Sequence, residues 1–533
     1  MYDLLIQGGD IVDGTGTPPL RADVAVRGDR IVAIEPILAG QAREVIDARG
    51  QVVTPGFIDI KTHSDLTLPL YPRAESRVHQ GITTELVGSC GFTAAPIPPG
   101  RLGVVASYLA ALAPALPVQE TSFAAYMDSF PTTSVNVAMQ VGHNTVRVAV
   151  MGLENRTPTA QEQAAMERLI EEALDAGAAG VSSGPFTAPG AFAAPEELEA
   201  FARIAARHGA IYATHVRSEA GNVFEAVSEA LGVAGRTNAR TRIVHLKLSG
   251  VDNWGAADRL IDEISAVRER GVPIDCDQYP YTTATNALRN LLPPWVQEGG
   301  TAAMLKRLGD PKAREDIRTS IAEHGVNAFG RIPSWESVRV AMSPTSSDDV
   351  GRTIAGIAAR RACDPIDALC TILIEDQGAT RGLIDSMHEN DVQAFVACPW
   401  ISVGSDGRAV GPGGALVREL PHPRFYGAFA RILGHYTRDL GLLTLSQAVH
   451  KMTGGPAAAL GLVDRGILRS GAAADIAIFD AATIADRATF EDPRRYPAGI
   501  SHVLVNGVRV VANGVHTGAL PGRLLRRIAR GVA

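Results

Sequence analysis

The 533-residue chain sets 50 Lys and Arg against 57 Asp and Glu, a net charge of −7, and 46% of its residues are hydrophobic. That length can bury a large core in two or three structural units, and an acidic balance without a basic stripe argues against nucleic acid as a partner. No stretch offers about 18 uninterrupted apolar residues, Met1–Gly9 has no basic n-region or long apolar h-region, and five cysteines form neither a disulfide framework nor a CxxC pair, so a reduced cytoplasm and no membrane span are expected.

Residues 1–54 read as one small β-sheet. The short apolar runs Leu4-Leu5-Ile6, Ile11-Val12, Val24–Val26, Ile31–Ile34 and Val52-Val53 are separated by the turn signals Gly8-Gly9, Asp13-Gly14 and Gly28-Asp29. From residue 55 strands and helices alternate. The expected strands are 57–63, 82–88, 135–141, 178–183, 210–215, 242–247, 272–278 and 401–405. A connecting helix starts at a capping box, Thr159 with Glu162, keeps helical spacing through Met166, Leu169, Ile170, Ala173 and Leu174, and ends at Gly177. A second runs near 257–269 with Leu260, Ile261, Ile264 and Val267 on one face.

Eight such units over 55–455 predict an α/β fold, a (β/α)8 TIM-like barrel, and the absence of GxGxxG after the early strands weighs against a doubly wound dinucleotide domain. Residues from about 286 to 350 interrupt the rhythm between the last two barrel strands with Pro293-Pro294-Trp295 and one or two helices. This insertion reads equally as a lid over a substrate or as a subunit contact. Residues 456–533 return to β pattern, with Asn506-Gly507 and Asn513-Gly514 as hairpin signals, so both termini are expected to build one β-domain. Arg523–Arg530 reads as a basic amphipathic or simply solvated helix.

Polar residues gather where the barrel strands end: Lys61 and His63 after the first, Cys90 after the second, His143 after the third, His215 after the fifth, His245 and Lys247 after the sixth, Asp406 after the eighth. Any one of these is more often a buried core side chain than a ligand, but their shared end of the barrel points to a transition-metal site. Thiolate and imidazole suit zinc, and three protein ligands with an open position would make the site catalytic.

The motifs Tyr2–Gly9, Pro55-Gly56-Phe57-Ile58-Asp59, Val87-Gly88-Ser89-Cys90-Gly91, Val141-Gly142-His143, Thr214-His215-Val216-Arg217, His245-Leu246-Lys247, Tyr279-Pro280-Tyr281, Gly404-Ser405-Asp406-Gly407 and Pro421-His422-Pro423-Arg424 cover nearly the whole length. On them the chain resembles the amidohydrolase superfamily and, within it, the N-acyl-D-amino-acid deacylases (D-aminoacylases). The resemblance implies one tightly held zinc on Cys90, His215 and His245. It also implies a weaker second position using the residues at 61 and 63 with Asp406, and Asp406 as general base and acid. Lys247, Tyr279, Thr285 (where the family usually has Ser) and Arg424 would clamp the substrate carboxylate, a small-molecule N-acyl amino acid being the expected partner. His143 is either an oxyanion stabiliser or a structural hydrogen-bond partner.

The largest departure from the family pattern is Lys61-Thr62-His63, where the family has His-Thr-His. A protonated ammonium cannot ligate a metal, so the second position is expected to be weakened or lost. Lys61 then either supplies charge where that metal would sit or points away as a hydrogen-bond donor. Two rival functions are a hydantoinase- or dihydroorotase-like cyclic-amide hydrolase and a non-catalytic homologue that binds acylated ligands. The first is disfavoured because the fourth strand, Gly180–Gly184, lacks the lysine such enzymes carry. An acidic substrate side chain would call for further cations near the pocket, with Arg289 as one candidate and Phe92 and residues 184–192 as other pocket elements.

Overall fold

The computed structural model describes residues 1–110, 113, 115–414, 416 and 419–527. Its centre is an eight-stranded parallel sheet in chain order: Phe57–Asp59, Ile82–Val87, Asn136–Gly142, Gly180–Ser183, Ile211–Thr214, Arg240–Ile243, Ile274–Gln278 and Ile401–Val403. All eight expected strands are present. Most are shorter than expected at their carboxyl ends, because the polar residues there leave the ladder and turn inward. The first and eighth strands close the barrel only at that end, where His63 N donates to Gly407 O (2.9 Å) and Asp406 N to Lys61 O (3.0 Å). The strands are buried on both faces, as a sheet wrapped by helices requires.

The helix Ala160–Asp175 starts at the Thr159–Glu162 capping box and buries Met166, Ile170, Ala173 and Leu174, which follow one another at helical spacing. Each large apolar side chain so placed contributes about 1.5–3 kcal/mol. Ala257–Glu269 likewise turns Leu260, Ile264 and Val267 inward.

Both termini share one nine-stranded sheet. Val52–Pro55 pairs antiparallel with Ile476–Phe479, Val53 opposite Ile478, so the chain's ends lock together beside the barrel. The Asn506-Gly507 and Asn513-Gly514 pairs sit at positive φ (49° and 79°, 51° and 75°), the backbone that tight hairpin turns need.

Two expectations are corrected. The insertion is larger than 286–350: Thr283–Ala287, Val338–Met342 and Arg381–Asp385 form a three-stranded antiparallel sheet, and the helices Gly300–Leu308, Pro311–His324, Ile354–Arg361 and Pro365–Glu375 pack with it around a separate apolar core. Residues 523–527 are extended rather than helical. Val137 N donates to Arg523 O (2.9 Å) and Leu525 N to Val137 O (2.7 Å), so this stretch finds backbone partners along the third barrel strand. Residues 528–530 lie outside the described residues.

Candidate active site

Three turns at the carboxyl end of the barrel deliver the reactive side chains, and each is fixed from below. The turn Gly88–Gly91 is stapled to the fourth strand by Ser182, whose hydroxyl donates to Gly88 O and accepts from Gly91 N at 3.0 Å. A Cβ on Gly88 would stand 2.4 Å from Gln140 O, so only glycine fits. His245 is set by Asp277, whose Oδ1 accepts from His245 N at 2.8 Å. The Ser405–Gly407 turn rests on a buried network: Asp59 Oδ1 accepts from Ser405 N (2.9 Å), and Arg77, paired with Glu85 (3.2 Å), donates to Ser405 Oγ (3.0 Å).

Nine non-glycine residues among those described adopt positive φ, and three of them are Cys90 (54°), His245 (35°) and Asp406 (49°). Such backbone costs on the order of 1–3 kcal/mol per residue, persists only where the surroundings impose it, and clusters at functional sites.

Cys90 Sγ lies 3.4 Å from His245 Nε2, and the His215 and His245 rings are 4.5 Å apart. His215 Nδ1 donates to Val216 O at 2.6 Å, which leaves Nε2 with its lone pair toward the site. Glu219 Oε1, 3.0 Å from His245 Nδ1, fixes the second ring in the same sense. Burial lowers the pKa of both imidazoles, so both are neutral donors. Burial pushes the Cys90 thiol up to about 11, against the nearby Lys61 charge, so a metal arriving there must displace its proton. Two neutral imidazoles and a displaceable thiol proton suit zinc.

Glu219 was missed in the sequence. Among the described residues it completes a group, His215, Glu219 and His245, whose ligand atoms all lie within 4.8 Å of one another. It also accepts from Lys247 Nζ at 2.8 Å. Burial raises its pKa, but the Lys247 charge and the two imidazoles outweigh that and hold it ionised. The only signal in the chain was its place four residues after His215.

On the opposite side of the cluster, Lys61 Nζ sits 3.0 Å from His63 Nε2 and bonds Asp406 Oδ1, while Arg424 Nη2 holds Asp406 Oδ2 at 2.7 Å. Burial raises the Asp406 pKa, but the Arg424 and Lys61 charges overcome it and keep the carboxyl well below the usual carboxylate range.

Tyr279 is fully buried, with Arg424 Cζ 4.5 Å and Lys247 Nζ 5.2 Å from its ring centre. Its hydroxyl and Arg424 Nη1 are both buried without a hydrogen-bond partner. Lys247 is committed to Glu219, to which its Nζ donates at 2.8 Å. Thr285 lies on the insertion's first strand opposite Leu383, and that strand is tied to the site by His422, which donates to Thr283 O at 2.9 Å.

His143 is buried, and its Nε2 donates to Glu197 Oε1 at 2.7 Å beside Arg147. Phe92 stacks on Tyr108 and meets His63 edge-on, while Phe186, from the 184–192 stretch, packs on both His215 and the insertion's core. Near Arg424, burial and the guanidinium groups of Arg408, Arg424 and Arg289 lower the Arg381 pKa to about 10, against Glu419, which Arg381 and Arg408 share.

Comparison with known proteins gives concordant matches. The amidohydrolase family profile matches residues 44–299 and 335–511. The chain is 38% identical to an N-acyl-D-glutamate deacylase of Alcaligenes xylosoxydans xylosoxydans, over 99% of this chain and 97% of that one. A solved D-aminoacylase, described with a binuclear metal centre showing one-metal activation and second-metal attenuation, superposes with a TM-score of 0.82 at 34% identity, covering 99% of this chain and all of the other. The N-acyl-D-glutamate deacylase of Bordetella bronchiseptica, solved with zinc and a phosphonate mimic of the tetrahedral intermediate, gives 0.81 at 36% identity, covering 98% and 99%.

Proposed function

The chain belongs to the amidohydrolase family, and from that premise we propose that it is a zinc-dependent deacylase that hydrolyses N-acyl-D-amino acids to a carboxylate and a free D-amino acid. The observation that carries this reading is the pair of buried, unpartnered donors Tyr279 OH and Arg424 Nη1, the latter on an arginine that also holds Asp406 and lies against the Tyr279 ring. Buried polar groups are normally paired, so two orphans on side chains in ring contact call for an acceptor brought by a ligand. A free carboxylate meets both, and a linear N-acyl-amino acid carries one next to its amide.

Zinc is assigned to Cys90, His215 and His245, where it supplies a Lewis acid that lowers the pKa of water from about 15.7 toward 7 and polarises an amide carbonyl. Glu219 orients His245 and balances the Lys247 charge, as carboxylates behind metal-bound imidazoles do. Asp406 is the one ionised carboxylate held at this site by two cations, and its assigned role is to take a proton from water and return it to the leaving nitrogen. Arg424 and Tyr279 fix the substrate carboxylate, with Thr285 from the insertion alongside, so that the stereocentre meets the cluster in one orientation. Lys247 contributes charge from behind His245.

A hydantoin offers no free carboxylate to the orphaned donors, and the fourth strand lacks the lysine expected of hydantoinase- and dihydroorotase-like hydrolases. The test is product release by zinc-loaded enzyme from N-acetyl-D-amino acids against hydantoin and dihydroorotate. Turnover of the cyclic compounds alone would overturn the assignment.

The 38% identity to an N-acyl-D-glutamate deacylase, with Arg381 and Arg408 sharing the single carboxylate of Glu419, favours a substrate with a second carboxylate. N-acetyl-D-glutamate or -aspartate is then turned over with higher kcat/KM than N-acetyl-D-leucine. Equal or reversed preference would reject this refinement and leave the reaction unchanged.

A further inference from the structure

We infer that the Lys61 ammonium permanently occupies the place of a second metal ion, so that this enzyme is built to work with one zinc and to resist inhibition by excess metal. The inference rests on the deacylase reading only for what the single zinc does; the occupancy itself is argued from geometry.

Lys61 Nζ is almost wholly buried and sits between two groups that would otherwise be ligands: His63 Nε2 at 3.0 Å and Asp406 Oδ1 in direct contact. Two electron-pair donors that could hold a cation therefore face one ammonium, whose N–H groups can satisfy both. The position is locked through the backbone too, since Lys61 O accepts from Asp406 N at 3.0 Å and His63 N bonds Gly407 O at 2.9 Å. Arg424 secures the second Asp406 oxygen, so Asp406 is doubly held without any ion on its side of the site.

A metal entering there would have to expel Lys61 from a buried pair and would meet a nearby positive charge. The Lys61 charge thus stands at the second position, where the solved D-aminoacylase relative, with its binuclear centre, is described as attenuated by its second metal. Lys61 acts through Asp406 and is a positioning residue rather than one that touches substrate.

The experiment is zinc stoichiometry by equilibrium dialysis and elemental analysis from 1 μM to 1 mM free zinc, with deacylase activity followed in parallel. The native enzyme should plateau at one zinc per chain and keep its activity to the top of that range. Lys61→His should bind a second zinc at least 100-fold more tightly than the native enzyme does and become inhibited as it fills. Lys61→Gln, which replaces the ammonium by a neutral side chain of similar length, serves as a second variant should the histidine variant misfold, and should also admit more than one zinc. Two zinc ions on the native enzyme at micromolar metal would overturn the inference and leave the deacylase reading intact. One zinc without turnover of any N-acyl-amino acid would sustain the occupancy and overturn the reading.

Discussion

Arg424 grips Asp406 twice: its Nη2 lies 2.7 Å from the Oδ2 of Asp406 and its Nε donates to the carbonyl oxygen of the same residue at 2.9 Å. One guanidinium thus fixes both the side chain and the left-handed backbone of the assigned base, and keeps Nη1 for a ligand. Binding and proton transfer are mechanically joined at this residue pair.

Asp406→Asn tests the base. Asparagine tolerates the positive φ at this position, so the turn itself survives. The substitution leaves Lys61 and Arg424 buried with less compensation, a penalty bounded by the about 3–5 kcal/mol of a broken buried pair. The expected result is a kcat lower by about 100-fold or more with zinc content unchanged. A kcat within threefold of the native value, measured on folded, zinc-replete protein, removes Asp406 from the base role.

Tyr279→Phe tests the carboxylate clamp. It deletes a hydroxyl with no hydrogen-bond partner in the protein, so melting temperature should hold or rise. KM for an N-acyl-D-amino acid should rise several-fold, the worth of one hydrogen bond of about 1 kcal/mol, with a smaller change in kcat. A fall in stability with KM unchanged would mean that the hydroxyl serves the fold and not the substrate.

Cys90→Ala and Glu219→Gln separate a ligand from a residue that orients one. The first should abolish zinc retention through dialysis. The second keeps shape but loses the charge facing Lys247 and His245, and should weaken zinc affinity by about 10–100-fold. Competition with a chromogenic chelator reads both. Equal, complete loss in the two variants would make Glu219 a ligand in its own right.

Stability should fall in mild acid through His79, which lies outside the active site and stacks on Tyr496 with ring centres 4.0 Å apart. Burial, with the nearby His516, lowers its pKa from 6.5 to about 4. A folded-state pKa below the unfolded one means that the unfolded chain binds the extra proton first. The contribution is therefore complete above pH 6.5 and is lost as pH falls toward 4, reaching on the order of 3 kcal/mol. Melting temperatures from pH 7.5 to 4.5 should drop, and His79→Gln should flatten that slope. Identical slopes in the two proteins would contradict the assignment.

The barrel was legible because its signals are local. The Thr159–Glu162 capping box, the helical spacing after it and the short apolar strands each need only a few neighbouring residues, and the Asn-Gly pairs specify their own turns. The insertion's sheet was not legible, because Thr283–Ala287 reads Thr-Ala-Thr-Asn-Ala, with no apolar alternation, and its partner strand begins at Arg381. The second carboxylate of the site hid for a similar reason. Glu219 sits in a loop between a strand and a helix, where no periodicity marks it, and only burial beside Lys247 and two imidazoles gives it a role. At His143 the sequence placed the residue but not its ring, which Glu197, 54 positions later, holds. The Arg523–Arg527 stretch carries Leu524 and Leu525 as a helix would, yet finds its backbone partners on the third barrel strand.

The measurement that bears most directly on the central claim is amine release from paired N-acetyl-D- and N-acetyl-L-amino acids, with zinc determined on the same sample. The account predicts clear D-selective turnover at about one zinc per chain, the three-ligand arrangement with an open position. Zinc-replete protein that releases no amine from either enantiomer, or that prefers the L series, would contradict it.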